Sequence, residues 1–270
     1  MITVLGASGF IGSNLCRRLR ESGIAHYAPE RAQLLAGRQL GDVIYCIGLT
    51  ADFRSRVFDT VEAHVCHLAT MLHDCEFDSV LYLSTTRLYR RAAGPAQEDD
   101  VLSVAPQEAD DLYNISKAMG ESLVLSRGRC GRVARISNVY GGDFESENFL
   151  SAVIREAVAT GAVTVRTSPE SEKDYVAIDD VVTGLIQIAT QGQHPVYNLA
   201  SGINVTNAAL LDRLRELTGC SVEFLAGAPE VKFPPISVRR MREEFGFAPA
   251  QLPGRLGDLV NLYRSMSTKR

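Results

Sequence analysis

No run of apolar residues in this sequence approaches the about 20 that a membrane-spanning helix requires, so none is expected. Positive charge is not in excess either. The chain has 28 Lys and Arg against 32 Asp and Glu, a formal net charge of −4. That leaves no electrostatic footprint for nucleic acid. No pair of cysteines has the Cys-x-x-Cys spacing. Cys16, Cys46, Cys66, Cys75, Cys130 and Cys220 are scattered, and Cys46 lies in the apolar run Val43–Ile47. Buried free thiols in a reducing cytoplasm are therefore expected, rather than a disulfide framework or a thiolate zinc site. Internal repeats and low-complexity segments are absent. A secretory leader is not expected, because Met1-Ile2-Thr3-Val4-Leu5 already reads as a strand. The polar end Ser267–Arg270 is expected to fray and is given no function.

What is present is an alternation. Ile2–Leu5 is a short apolar run closed by Gly6, and Phe10–Glu21 has helical periodicity through Ile11, Leu15 and Leu19, stopped near Gly23. Strands are expected at about Ile24–Ala28, Val43–Ile47, Val80–Leu83 and Val133–Ile136. Helices are expected along Val57, Val61, Val65, Leu68 and Leu72, and over Tyr113–Leu125. Continuous apolar runs alternating with helices imply an α/β fold, a Rossmann-type doubly wound parallel sheet. The second half is less regular. Ser146–Ala159, Asp179–Ala189 and Thr206–Leu217 read as helices, with Thr206 as an N-cap. Val163–Arg166 reads as extended, and Val196–Leu199 as a return to the sheet. Pro234-Pro235 should break the chain before two short terminal helices. The expected division is a dinucleotide-binding domain over 1–140 and 176–200, and a small C-terminal substrate lobe over 141–175 and 201–270.

Gly6-Ala7-Ser8-Gly9-Phe10-Ile11-Gly12 lies between the first strand and the first helix. There Gly6 permits a tight turn, Gly9 lets the backbone approach a pyrophosphate, and Gly12 lets helix and strand pack closely. With Ser8, Phe10 and Ile11, these residues form a candidate NAD or NADP cradle at a helix N-terminus. The acid that should hold the ribose hydroxyls of NAD falls near Glu30, while Arg31 could pair with the extra phosphate of NADP. The alternative for both is a solvated loop charge.

Tyr113 and Lys117 are four residues apart, one helical turn. An ammonium beside a phenol lowers its proton affinity, so the pair could act as general acid or base toward an alcohol or carbonyl. The Val80–Leu83 strand runs on into Ser84-Thr85-Thr86-Arg87-Leu88-Tyr89. Hydroxyls at the carboxyl end of a parallel strand face the ligand crevice and could polarise a substrate oxygen. The alternative is a set of turn hydroxyls serving local backbone groups.

These motifs resemble the extended short-chain dehydrogenase/reductase family, its NAD-dependent epimerase/dehydratase group. The resemblance spans nearly the whole chain. It includes the glycine loop, the Ser84–Tyr89 strand end and the Tyr113/Lys117 pair, and also Arg135-Ile136-Ser137-Asn138-Val139-Tyr140-Gly141 and Lys173-Asp174-Tyr175-Val176-Ala177-Ile178-Asp179-Asp180-Val181. It implies Thr85, Tyr113 and Lys117 as catalytic residues, with Tyr113 and Lys117 also touching the cofactor. It further implies Thr86, Asn138 and Lys173 on the substrate side, Lys173 facing the diphosphate of a nucleotide sugar, and a homodimer through the His64 and Tyr113 helices.

Departures narrow the reaction. The family's 4,6-dehydratases place Asp and Glu after the catalytic Thr; here Thr86 and Arg87 stand there, which excludes that chemistry. The stretch from Glu30 to Asp42 is too short for the usual third strand, and about thirty residues between Gly141 and Lys173 leave a trimmed substrate lobe. The expected activity is an NAD(P)-dependent nucleotide-sugar 4-ketoreductase. The alternatives are a 4-epimerase and a non-catalytic dinucleotide-sensing scaffold. His64 and His67 have a spacing that could suit a metal, but no third ligand follows, and no metal is expected. Glu98, Asp99, Asp100, Asp110 and Asp111 are expected to be solvated loop charges.

Overall fold

The computed structural model describes residues 1–31, 33–50 and 53–267. The last three residues of the terminal tetrapeptide lie outside the described residues. Six parallel strands form the main sheet: β1 (Ile2–Leu5), β2 (His26–Tyr27), β3 (Asp42–Tyr45), β4 (Ser79–Thr85), β5 (Gly131–Ile136) and β9 (Val196–Leu199). Their order is β2-β1-β3-β4-β5-β9. Chain order reverses beside β1, which opens the crevice where such sheets bind ligands.

Alternate side chains on each strand feed two cores. Val4, Ile44, Leu81 and Leu83 pack against α1 (Phe10–Glu21) and α6 (Ile178–Gln191). Val43, Tyr45, Val80 and Tyr82 pack against α3 (His67–Asp74) and α4 (Asp111–Leu125). A strand covered on both faces needs a continuous apolar run, and all seven residues of β4 are buried, its apolar Val80–Leu83 run flanked by Ser79, Ser84 and Thr85. Between β2 and β3 the described residues form no strand, only an isolated bridge from Gln39 to Glu76. The sheet therefore ends at the two-residue β2.

The second half adds β6 (Asn138–Tyr140), α5 (Phe149–Thr160), β7 (Ala162–Val165) and β8 (Glu172–Ala177) before α6. After β9 come β10 (Asn204–Thr206), α7 (Asn207–Thr218), β11 (Ser221–Phe224), α8 (Arg239–Phe245) and α9 (Leu252–Ser267). β10, β8 and β6 form one small sheet, β11 and β7 another. A separate core joins Val153, Ile154, Tyr175, Leu211, Leu214, Leu256 and Val260. Thr206 caps α7 as expected, accepting from the Ala209 N–H at 3.2 Å. The terminal helices are unequal, 7 residues in α8 and 16 in α9. Met241 and Phe247, from the C-terminal segment, pack into the core with Leu185 and Leu199.

One helix departs from its expected face. α2 (Val57–Val61) runs into α3 through a π-helical turn, Glu62–Cys66. The turn shifts the register by one residue. Val57 is exposed and Val61 and Val65 are only half-buried, while Thr60 and His64 are fully buried.

Candidate active site

The glycine loop leaves β1 with Gly6 at a φ of +86°, where a Cβ would sit 2.8 Å from the Ile47 amide nitrogen. A Cβ on Gly12 would collide with the Gly6 carbonyl. These two glycines are required by the protein itself. Gly9 is not. Its φ of −76° suits any residue, and a Cβ there would meet only the Gly6 oxygen, at 3.5 Å. Gly9 and Ser8 are exposed, and Phe10 and Ile11 half-buried. Helix α1 has no side-chain cap and no acid in its first turn. Its leading N–H groups thus face an open cradle at the carboxyl end of β1, which fits a pyrophosphate. Glu30 and Arg31 follow β2 at the edge of this cradle. Both are exposed, with no opposite charge paired to either among the described residues.

The structure brings Thr85, Tyr113 and Lys117 together, all buried. The Tyr113 phenol faces the hydroxyls of Thr50 and Thr85. Thr85 also accepts from the Arg87 N–H at 3.2 Å, so it caps the 3₁₀ turn Thr86–Tyr89 while it serves the phenol. The expected electrostatics need correcting. Lys117 Nζ donates to the Leu83 carbonyl at 2.8 Å and lies 4.9 Å from the Tyr82 ring centre. Burial pulls its ammonium down to about 7. Burial also raises the Tyr113 phenol, opposed by the Thr50 hydroxyl, the Arg87 charge and the Thr85 hydroxyl, not by Lys117. The resting phenol therefore holds its proton at neutral pH.

Two residues of this cluster escaped the sequence reading. Thr50 follows β3, so the strand-end argument that found Thr85 applied to it equally. His64 is the other. Its Nε2 accepts the Leu49 N–H at 3.1 Å, which leaves the proton on Nδ1 to donate to Ser116 Oγ at 2.8 Å. Ser116 in turn donates to the Tyr113 carbonyl. Burial, followed by the Lys117 charge, pulls the imidazole down to about 2, so it is neutral. A neutral His64 ties the Gly48–Thr50 loop to the catalytic helix.

On the substrate side, Thr86 is buried and Asn138 exposed, its Nδ2 donating to the Asp174 carbonyl at 2.8 Å. The Asp174 carboxylate accepts from Ser137 and from Ser201, Gly202 and Ile203, and so fixes the start of β8 beside the sheet. Lys173 precedes it, with its ammonium 4.7 Å from the Phe149 ring centre. Two of the expected loop charges are not solvated. Glu98 is buried and accepts the Asn198 N–H at 3.1 Å. Asp111 is buried at the start of α4 and bound by Arg91, Asn114 and the Ala105 N–H. Arg135 is also structural, in a buried pair with Glu121 at 2.7 Å that clamps α4 to β5. A cavity of about 480 Å³ lined by Ser201, Ile236, Arg242 and Phe247 touches none of the expected site residues.

The chain is 23% identical to a dTDP-4-dehydro-6-deoxy-D-allose reductase from a Streptomyces species, over 97% of this chain and 96% of that one. Among solved structures, MoeE5 in complex with UDP-glucose and NAD superposes with a TM-score of 0.82 at 22% identity, covering 98% and 99% of the two chains. RMD from Pseudomonas aeruginosa, complexed with NADPH, gives 0.79 at 19%, covering 98% and 99%. The two structural likenesses bear on the fold. The profile of the NAD dependent epimerase/dehydratase family matches residues 30–200, most of the chain, and the protein belongs to that family.

Proposed function

We propose that the protein is an NAD(P)-dependent reductase of a 4-keto nucleotide sugar. The observation that carries this reading is the buried Tyr113 phenol, set between the buried Thr85 and the exposed Thr50 hydroxyls beside the glycine cradle and held protonated. Reduction of a ketone asks for an acid at the carbonyl oxygen, and a protonated phenol is one. An epimerase must begin by removing a proton, which this resting state opposes.

Gly6, Ser8, Gly9, Phe10, Ile11 and Gly12 would hold the pyrophosphate, and Glu30 or Arg31 the adenine ribose. The bound dinucleotide supplies the hydride. Tyr113 gives its proton to the C4 oxygen, and Thr85 orients that oxygen by hydrogen bonding. Lys117, whose ammonium rests on the Leu83 carbonyl, would turn to the nicotinamide ribose. Thr86 and Asn138 line the sugar side, and Lys173 faces the diphosphate. Residues 1–140 and 176–200 carry the dinucleotide, and 141–175 and 201–270 the substrate.

Six free thiols suit a cytoplasmic enzyme. The reading includes a homodimer through the outer faces of α2–α4, where Phe58 and Met119 are 88% and 51% exposed. His64 points inward and takes no part. No helix among the described residues is long and apolar enough to cross a membrane. The test is to offer 4-keto nucleotide sugars with NADH or NADPH and weigh the product. A gain of two hydrogens supports the reductase; an isomer of unchanged mass, or loss of water, refutes it.

A further inference from the structure

Two cations near the reacting phenol lack the partners that their neighbours have. Arg54 is paired to Asp110 at 2.7 Å, and Arg90 and Arg91 share Asp111 and Glu108. These arginines occupy the acids of the region. Arg87, two residues beyond Thr85, makes no close ion pair among the described residues; Asp110, held by Arg54, acts on it only at longer range, and its nearest neighbours are aromatic faces. Its guanidinium carbon is 5.6 Å from the ring centres of both Phe53 and Tyr113, and its Nε is buried with no hydrogen-bond partner. Lys173 likewise meets a ring, that of Phe149, and no carboxylate is paired to it among the described residues.

The topology brings the two together. Thr85 is in register with Ile136 across β4 and β5, and Asn138, two residues further on, is in register with Tyr175 across β6 and β8. The β4 end with Arg87 and the β8 start with Lys173 therefore flank the same short segment. Burial and then the Arg87 charge push Lys173 down to about 8, with no acid offsetting them. Two half-buried like charges that act on each other are unfavourable unless an anion lies between them.

We propose that Arg87 and Lys173 form a two-armed subsite that grips an oxyanion of the substrate beside Tyr113, either the diphosphate or a carboxylate on the sugar. Arg87 supplies the planar fork that Lys173 lacks. This rests on the nucleotide-sugar reading above and adds a second arm from the catalytic strand end.

The test is binding, not turnover. Calorimetric titrations of the NAD-saturated protein would use UDP, dTDP, UDP-glucose and UDP-glucuronic acid as probes. Arg87→Met and Lys173→Met keep the stems and remove the charges. Each should weaken binding about tenfold, the size expected for one charge-assisted hydrogen bond. Arg87→Lys should recover part of the loss, and NAD affinity and Tm should stay near wild type. An equal loss for all four probes assigns the diphosphate. A loss confined to UDP-glucuronic acid assigns a sugar carboxylate. Wild-type affinity for every probe in both Met variants overturns the subsite while leaving the nucleotide-sugar reading intact. Failure of the wild type to bind any probe overturns both.

Discussion

The glycine loop makes the sharpest prediction, because its three glycines are there for different reasons. Gly9→Val adds a side chain where the protein offers room, its Cβ meeting only the Gly6 oxygen at 3.5 Å, and where the backbone is already extended. Folding stability should change by no more than about 1 kcal/mol, the scale of an altered N-cap. The ligand has no such room. A branched side chain over the leading N–H groups of α1 would hold a pyrophosphate away from them. Losing one charge-assisted bond costs about 1.5–3 kcal/mol, or roughly ten- to a hundredfold in Kd. Gly12→Ala should do the reverse. Its Cβ would collide with the Gly6 carbonyl and force α1 off β1. Overpacking of this kind costs about 1–3 kcal/mol, and each kcal/mol lowers Tm by about 2–4 °C in a domain near this size. Thermal melts and NADH and NADPH fluorescence titrations of both variants would decide. If Gly9→Val binds cofactor as wild type does, or Gly12→Ala melts at the wild-type temperature, the division of labour in the loop is wrong.

Other tests address the catalytic cluster. Tyr113→Phe should abolish turnover and leave cofactor affinity nearly intact, since the phenol lies outside the glycine cradle; near-normal activity would remove the mechanism. Thr85→Val should lower kcat on the order of 10²-fold and also loosen the 3₁₀ turn that it caps, whereas Thr85→Ser should retain much of the activity and Thr86→Ala should matter less. A larger effect at Thr86 than at Thr85 would shift the strand-end assignment by one residue. Lys117 should leave a pH signature in stability. Its folded value is about 7, whereas an unfolded lysine stays protonated to about 10.4. Between those values the unfolded chain binds the extra proton, so this group makes stability rise with pH, and its burial penalty is fully present below about 7. Urea unfolding of wild type against Lys117→Met should show the wild type gaining between pH 7 and 10; a pH-independent difference would contradict the burial.

The parallel sheet was legible because buried strands carry continuous apolar runs and the helices between them are amphipathic. The glycine loop, Thr85, Tyr113 and Lys117 were legible because their spacing is local. Long-range compensation was not. Glu98 reads as a loop charge until it meets the Asn198 N–H, 100 residues away. Asp111 reads the same way until Arg91 and the Ala105 amide close on it. The direction of Lys117 was missed for a related reason: a four-residue spacing shows that two side chains share a face, not which acceptor the longer one reaches. Thr50 follows the Leu49 amide that His64 holds, and Thr60, one turn before His64, is buried in place of Val61 because that helix does not keep a constant period.

That change of period has a genetic consequence. Each residue of an α-helix advances about 100°, and the π turn at Glu62–Cys66 holds one residue more than a regular turn would. Were the turn to relax to a regular helix at the same length, the front half would rotate about 100° against the back half, turning Val57 and Val61 toward the sheet and Thr60 away from it. Deleting one residue of the turn cancels that rotation, because the residue lost is the one by which the turn exceeds a regular one. A one-codon deletion would thus straighten the helix and keep Thr60 against the sheet, whereas a change that relaxes the turn at full length would exchange its faces. Relatives one residue shorter between positions 57 and 74 should therefore carry an unbroken helix with the same face inward.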